Sequence, residues 1–349
     1  MQRPDLDNVD PLVLAYIEYL EKKAGIRQTI ARNNEESAAF AERAAEPLPA
    51  ERETTVNIIT FSLEGKAKRT YRHLYTRQHR GGMGVFGFES TGDDEPSVLA
   101  GAEDNQNLLF FTSQARVFRQ SIQSIPPTQV NDRGGIVTER FNLEQDEHII
   151  SILPEQARGY VGLVSKGGRV RCLRHHLFGE HMRPGTPMYN TKDFGPLAAA
   201  CWTPGDGDLF LITQQGMAIR FSEKAISPQG DQGIRLGQED AVVGITPVYG
   251  DSNVFILSAD GRGTLRQMSG FAPNKSPGGS GKIAIKSSKV VGAISVETND
   301  DLFVISRLGK IIRFPASEVP ETEGVVQGVN CMGLRGDEVI AIYKSGPIY

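Results

Sequence analysis

Cysteine and tryptophan are almost missing from this 349-residue chain, which has three of the first and one of the second. Cys172, Cys201 and Cys331 stand far apart, with no CxxC pair. A disulfide framework and a structural zinc site are therefore not expected, and a reducing cytoplasm fits such sparse thiols. Nor is there an apolar run near the ~20 residues that a membrane span needs. The acidic start "MQRPDLDNVD" does not read as a secretory leader. An excess of positive charge is lacking too: net charge is −4 at pH 7. Residues 1–55 hold seven Lys/Arg against eleven Asp/Glu, and the remaining residues balance at 31 against 31. A neutral body offers a polyanion nothing unless its charges are sorted by face.

What is present is periodicity. Residues 1–55 read as an acidic helical extension and linker. "DPLVLAYIEYLEKKAG" has Asp10 as N-cap, Pro11 in the first turn and Gly25 at the C-cap, and "NEESAAFAERAAE" is helix-prone. From residue 56 the pattern changes to period 2 and repeats six times. Each copy is an apolar run, a Ser/Thr, two residues, a glycine, then a basic and apolar run, as in "LFLITQQGMAIRF" and "LFVISRLGKIIRF". The turn residues are Gly65, Ala115, Gly168, Gly216, Gly261 and Gly309, separated by 50, 53, 48, 45 and 48 residues. Two β-rich runs around a short turn make a hairpin. A glycine-rich loop and a further apolar run follow each one, so every unit offers about four strands. Repeats of roughly 48 residues with this content specify an all-β, six-bladed propeller. Its blades are expected near 56–107, 108–160, 161–208, 209–253, 254–301 and 302–349.

The densest glycine loop is "QHRGGMGVFG", residues 78–87. Taken alone it is a tight turn, a nucleotide cradle, or a place where backbone meets a polyanion, and the bare motif favours the turn. Together with the repeats, however, it resembles the C-terminal domain of the A subunit of bacterial type IIA topoisomerases, DNA gyrase and topoisomerase IV. The resemblance covers roughly residues 56–349. It implies a β-pinwheel, a disc whose blades exchange strands and whose basic rim carries wrapped DNA. The signature loop of the gyrase version is glutamine, two basic residues, two glycines, a basic residue and glycine. Gln78, Arg80, Gly81, Gly82 and Gly84 match it, whereas His79 and Met83 stand where basic residues are preferred. The loop keeps its shape and loses positive charge, which moves the expectation toward weakened or topoisomerase IV-like wrapping.

The same resemblance turns the recurrent cations into candidate phosphate contacts. Next to the turns lie Lys66, Arg116, Arg169, Arg262 and Lys310; farther along the strands lie Lys68, Arg69, Arg119, Arg171, Arg220, Arg266 and Arg313. Strand alternation puts Arg220 opposite Phe221 and Arg313 opposite Phe314, so a buried phenylalanine would leave the arginine facing solvent. Residues 161–208 and 254–301 each carry six basic against four acidic residues, and 209–253 carry three against five. Contact is therefore expected to be uneven, led by the first, third and fifth units. The expected partners are double-stranded DNA and gyrase or topoisomerase subunits, with no membrane and no nucleotide, at the bacterial nucleoid.

Other chemistry is not evident. "SPGGSGK" at 276–282 imitates a P-loop, but Ser276 replaces its first glycine and Ile283 its Ser/Thr, so ATP binding is rejected. His175, His176 and His181 read as a polar loop rather than a metal site. No catalytic constellation stands out, and Tyr16 and Tyr19 have no adjacent arginine such as accompanies the cleavage tyrosine of the family. No cofactor is expected, and any enzymatic role would be as a non-catalytic part of a topoisomerase. The breakage–reunion region has no counterpart in this sequence, which is then either a free-standing relative, the alternative that Met1 and a capped first helix favour, or a fragment. The competing expectation is a propeller scaffold for protein partners, in which DNA binding is weak or lost.

Overall fold

A computed structural model describes residues 48–89, 94–250 and 252–346. The chain divides into Met1–Leu48 and Pro49–Tyr349, and every described residue but Leu48 belongs to the second unit. The two helices expected in the head lie outside the described residues.

Six sheets are built on one plan, antiparallel throughout except that Glu321–Thr322 of the fifth pairs in parallel. In blade 1 the hairpin Val56–Ser62 and Lys66–Tyr71 is flanked by Pro96–Glu103 on one edge and by Gly135–Ile136 on the other. That last strand comes from the glycine-rich loop of the next sequence unit. The corresponding hairpins are Asn107–Thr112 with Arg116–Ser121, Tyr160–Ser165 with Arg169–Arg174, and Asp208–Thr213 with Met217–Ser222. Blades 5 and 6 follow with Asn253–Ser258 and Arg262–Gln267, then Asp301–Ser306 and Lys310–Pro315. Their exchanged outer strands are, in order, Thr186–Pro187, Asp231–Gln232, Lys282–Ile283, the pair Glu321–Thr322 and Val329–Asn330, and finally Val85–Phe86. Blade 6 thus takes its outer strand from the first unit, and the ring is closed.

The recurring Ser/Thr now has a physical reason. At the end of each first strand its carbonyl accepts from the turn residue's amide, at 2.9–3.2 Å. In five blades its hydroxyl also accepts from the amide just past the turn, as in Ser62 with Lys66 at 3.1 Å and Thr213 with Met217 at 3.2 Å. The turn residues all have positive φ, including Ala115 at 56°, which explains why glycine fills the other five positions.

Both faces of the hairpins are covered. The first strands read as continuous apolar runs because each sheet is packed between two neighbours. Ile59, Phe61 and Ala67 of blade 1 join Leu108, Phe110 and Phe118 of blade 2 in one core, and Ile58 and Leu99 join Phe303, Ile305 and Ile311 of blade 6 in another. Each such side chain contributes roughly 1.5–3 kcal/mol on burial. Ring closure is therefore supported by packing as well as by strand pairing. The inner strands of all six blades line a central cavity of about 640 Å³.

Candidate nucleic-acid interface

The outermost strand pair of every blade aligns one residue after the hairpin turn with one residue of the exchanged strand. The pairs are Lys66 with Ile136, Arg116 with Pro187, Arg169 with Gln232, Met217 with Ile283, Arg262 with Asn330, and Lys310 with Phe86. Five of the six turn-side residues are cations, and all sit at one register on the outer edge. Arg262 is half exposed, 3.9 Å from the Asp260 carboxylate. Lys310 lies 5.4 Å over the Phe86 ring and Arg169 lies 4.4 Å over that of Phe194. Lys66 and Arg116 are held by the buried carboxylates of Asp94 at 2.6 Å and Glu147 at 2.7 Å. Their charge is partly spent on the fold, and although burial alone would raise the Asp94 carboxyl, the bonds from Lys66 leave it below its ordinary value.

Five of the seven strand cations are buried, contrary to expectation, while Arg119 and Arg171 are only partly covered. Arg220 and Arg313 are buried although Phe221 and Phe314 are buried as well. Alternation correctly places them on opposite faces, but the second face meets the neighbouring blade instead of water. Arg220 donates to Asp208 at 2.7 Å and to the carbonyls of Met268, Phe271 and Gly250. Arg313 donates to Asp301 at 2.8 Å and to the carbonyls of Arg72 and Tyr75, at the turn leading out of the neighbouring hairpin. These arginines stitch one blade to the next. Arg69 is buried beside Asp104, Arg119 is held by Glu155, and Arg171 donates to the carbonyls of Met188 and Pro228. Arg266 is buried too, bonded to the Gly324 carbonyl.

Lys68 is a further correction. Its ammonium is buried and donates to the carbonyls of Gly87, at 2.7 Å, and Val130. Burial lowers its pKa from 10.5 to about 8, against a weaker opposing pull from Asp132. Between those values the unfolded chain binds the extra proton, so this lysine's contribution to stability rises with pH across that interval. Lys68 by itself should contribute ~2 kcal/mol of added stability between pH 8 and 9.5, from about 1.4 kcal/mol per unit. The cysteines pull the other way in the same range: burial pushes the thiols of Cys172 and Cys331 up to about 12 and that of Cys201 well upward, so they ionise near 9 only in the unfolded chain, and buried tyrosines such as Tyr75, pushed up to about 12, add to this near 10. Thermal unfolding isolates the lysine as a difference, since the cysteines are common to both variants: the stability of the native chain relative to Lys68→Met should rise between pH 8 and 9.5.

The glycine loop is a latch. Gln78 donates its amide to the Arg313 carbonyl at 2.8 Å, Gly81 to Cys331 at 2.8 Å, and Gly87 to Gly309 at 2.9 Å. The amides of Gly81, Gly82 and Gly87 are thus all bonded within the protein rather than open to a phosphate. Arg80 donates to the carbonyls of Glu318 at 2.8 Å and Asn330 at 3.0 Å, and His79 pairs with the Glu318 carboxylate at 2.6 Å. At Gly84, where φ is 70°, a Cβ would stand only 2.5 Å from the Ile311 carbonyl, so the loop needs glycine there to bring Val85–Phe86 onto blade 6. The adjacent histidines 175 and 176 lie in a 3₁₀ turn, not on a strand. Lys282 of the P-loop imitation opens an exchanged strand.

A closed six-bladed ring whose outer strands are exchanged between neighbours is a β-pinwheel. A family model described as the DNA gyrase C-terminal domain, beta-propeller, matches residues 57–95, 106–154, 207–248 and 300–343, and these repeats belong to that family. The DNA gyrase A protein of Mycobacterium leprae is 29% identical over 303 residues, covering 82% of this chain and 24% of that protein. Its Escherichia coli K12 counterpart is 28% identical over 293 residues, covering 80% and 33%. The chain thus spans only about a quarter to a third of the length of these relatives. A solved DNA gyrase A C-terminal domain matches with TM-score 0.73 and 21% identity, covering 83% of this chain and 99% of that domain. A solved C-terminal domain of DNA topoisomerase IV matches with TM-score 0.60 and 18% identity, covering 83% and 93%.

Proposed function

We propose that the disc binds double-stranded DNA on its outer edge and bends it without reading sequence, as a non-catalytic part of a type IIA topoisomerase in the bacterial cytoplasm. The observation that carries this reading is the single register shared by Lys66, Arg116, Arg169, Arg262 and Lys310. Cations repeated at one place on successive blades follow a curved path, and such a path suits a phosphate backbone rather than base edges. Bending a short site over a small disc costs several kcal/mol by an elastic estimate, so the contacts must be many. Among the described residues no helix is long and apolar enough to cross a membrane.

A second reading, a scaffold for protein partners, draws on the same edge. Phe86 is 64% exposed, Ile136 56% and Ile283 49%. A ligation experiment separates the two. The chain is bound to nicked circular plasmid, the nick is sealed, and the topoisomers are resolved after deproteinisation. The DNA reading expects a dose-dependent shift in linking number. An unshifted distribution, together with no salt-sensitive binding, favours the scaffold.

A further inference from the structure

Residues 261–296 contain six lysines and arginines and no aspartate or glutamate. They span the second hairpin strand of blade 5 and the loop that supplies the outer strand of blade 4. Lys275, Lys282, Lys286 and Lys289 are all exposed. Lys282 lies 4.1 Å over the ring of Phe271, and the Arg266 guanidinium lies 5.7 Å from the same ring. Arg266 is only 5% exposed, its Nε has no hydrogen-bond partner, and among the described residues no carboxylate is paired with it. Glu323 opposes its charge from farther away. A buried guanidinium without a carboxylate is costly, and an anion held nearby relieves that cost. Burial and the charges of Arg266 and Arg220 together lower the Lys282 ammonium from its ordinary value, the mark of a locally positive site.

Blade 4 is also the blade whose turn-side residue is Met217 rather than a cation. Its outer pair obtains a cation from the exchanged strand, where Lys282 aligns with Ala218. By contrast, the glycine loop of blade 1 directs Arg80 onto Glu318 and Asn330.

We propose that the junction of blades 4 and 5 is a phosphodiester site that anchors DNA on the disc, with Lys275, Lys282 and Lys286 touching phosphate and Arg266 adding charge beneath them. This rests on the DNA reading above, and it moves the strongest contact away from the glycine loop. The test compares Lys275→Gln/Lys282→Gln/Lys286→Gln with Arg80→Gln in the full chain, using a random-sequence duplex over a range of salt. Three lost phosphate contacts should reduce the slope of log K against log salt by about 2.7, at roughly 0.9 per contact, with at least tenfold weaker binding at low salt. Arg80→Gln should change that slope by less than one contact. All three lysines are exposed, so the thermal midpoint should hold and folding should not confuse the result. An unchanged slope in the triple variant, or a larger loss in Arg80→Gln, overturns the anchor while leaving the DNA reading intact. Absence of salt-dependent binding by the native chain overturns both.

Discussion

Replacing Arg313 with alanine should destabilise the ring by about 3–5 kcal/mol, the range for breaking a buried ion pair. On a body of this size that corresponds to a fall of roughly 10 °C in the unfolding midpoint. Arg313 sits at the seam between blades 6 and 1. It bonds Asp301 within its own blade, ion-pairs with Glu51 at 2.6 Å, and caps the carbonyls of Arg72 and Tyr75 across the seam. Glu51 also accepts from Arg72, which reaches Ser345 at 2.6 Å. Removal would leave the buried Asp301 carboxylate with Arg77 alone, at 2.9 Å, and two carbonyls short of partners. Arg313→Lys should recover little, because an ammonium cannot reproduce the planar fork. Acid has a milder version of the effect. Burial pulls the Glu51 carboxyl up, but the bonds and charges of Arg72 and Arg313 outweigh it and hold its pKa below 4.5. Its contribution is present above pH 4.5 and is lost as pH falls through the lower folded value. Denaturant titrations of the native chain and Glu51→Gln between pH 3 and 7 check this. The two curves should converge at the acid end.

Glutamine at Arg169, Arg262 and Lys310 together should weaken DNA binding about thirtyfold near 0.1 M salt and reduce the salt slope by about 2.7. Lys66 and Arg116 are left alone in this variant for a physical reason. Their partners Asp94 and Glu147 are buried, so neutralising them would unsettle the fold along with the interface. Arg220→Gln is the contrasting case: a loss of stability and an unchanged slope per folded molecule. A slope that follows Arg220 and ignores the three edge cations would mean that the outer register is not the DNA path. Electrophoretic mobility at several salt concentrations, with a thermal melt of each variant, distinguishes these outcomes.

The repeats were legible because their signal is local. A hydroxyl, a positive-φ residue and a cation recur at fixed offsets, and each offset answers to a hydrogen bond within one hairpin. The turn-side cations were legible for the same reason. The strand arginines were not, since alternation separates two faces without saying what covers each. Only the stacking of whole blades shows that Arg220 and Arg313 meet a neighbour's carbonyls. One clue was available: "DLFLIT…AIRF" and "DLFVIS…IIRF" share an aspartate that bonds the arginine across the hairpin. The role of "QHRGGMGVFG" was hidden for a stronger reason. It acts on residues more than 200 positions away, and nothing near it in the chain points there. Lys275 and Lys289 carry no periodic signal because they belong to no repeated offset; the acid-free run around them was the readable sign.

The exchanged strand at Val85–Phe86 has a consequence for how the ring is assembled. Each of the first five sheets is finished by residues that emerge later in synthesis. The sixth is finished by a strand that precedes it by more than 200 residues, so its completion needs the longest loop to close. Closing should therefore be the slow, late event in refolding. A circular permutant that joins the seam covalently and opens the chain in another inter-blade loop would move that delay to the new opening. It would keep the same finished disc.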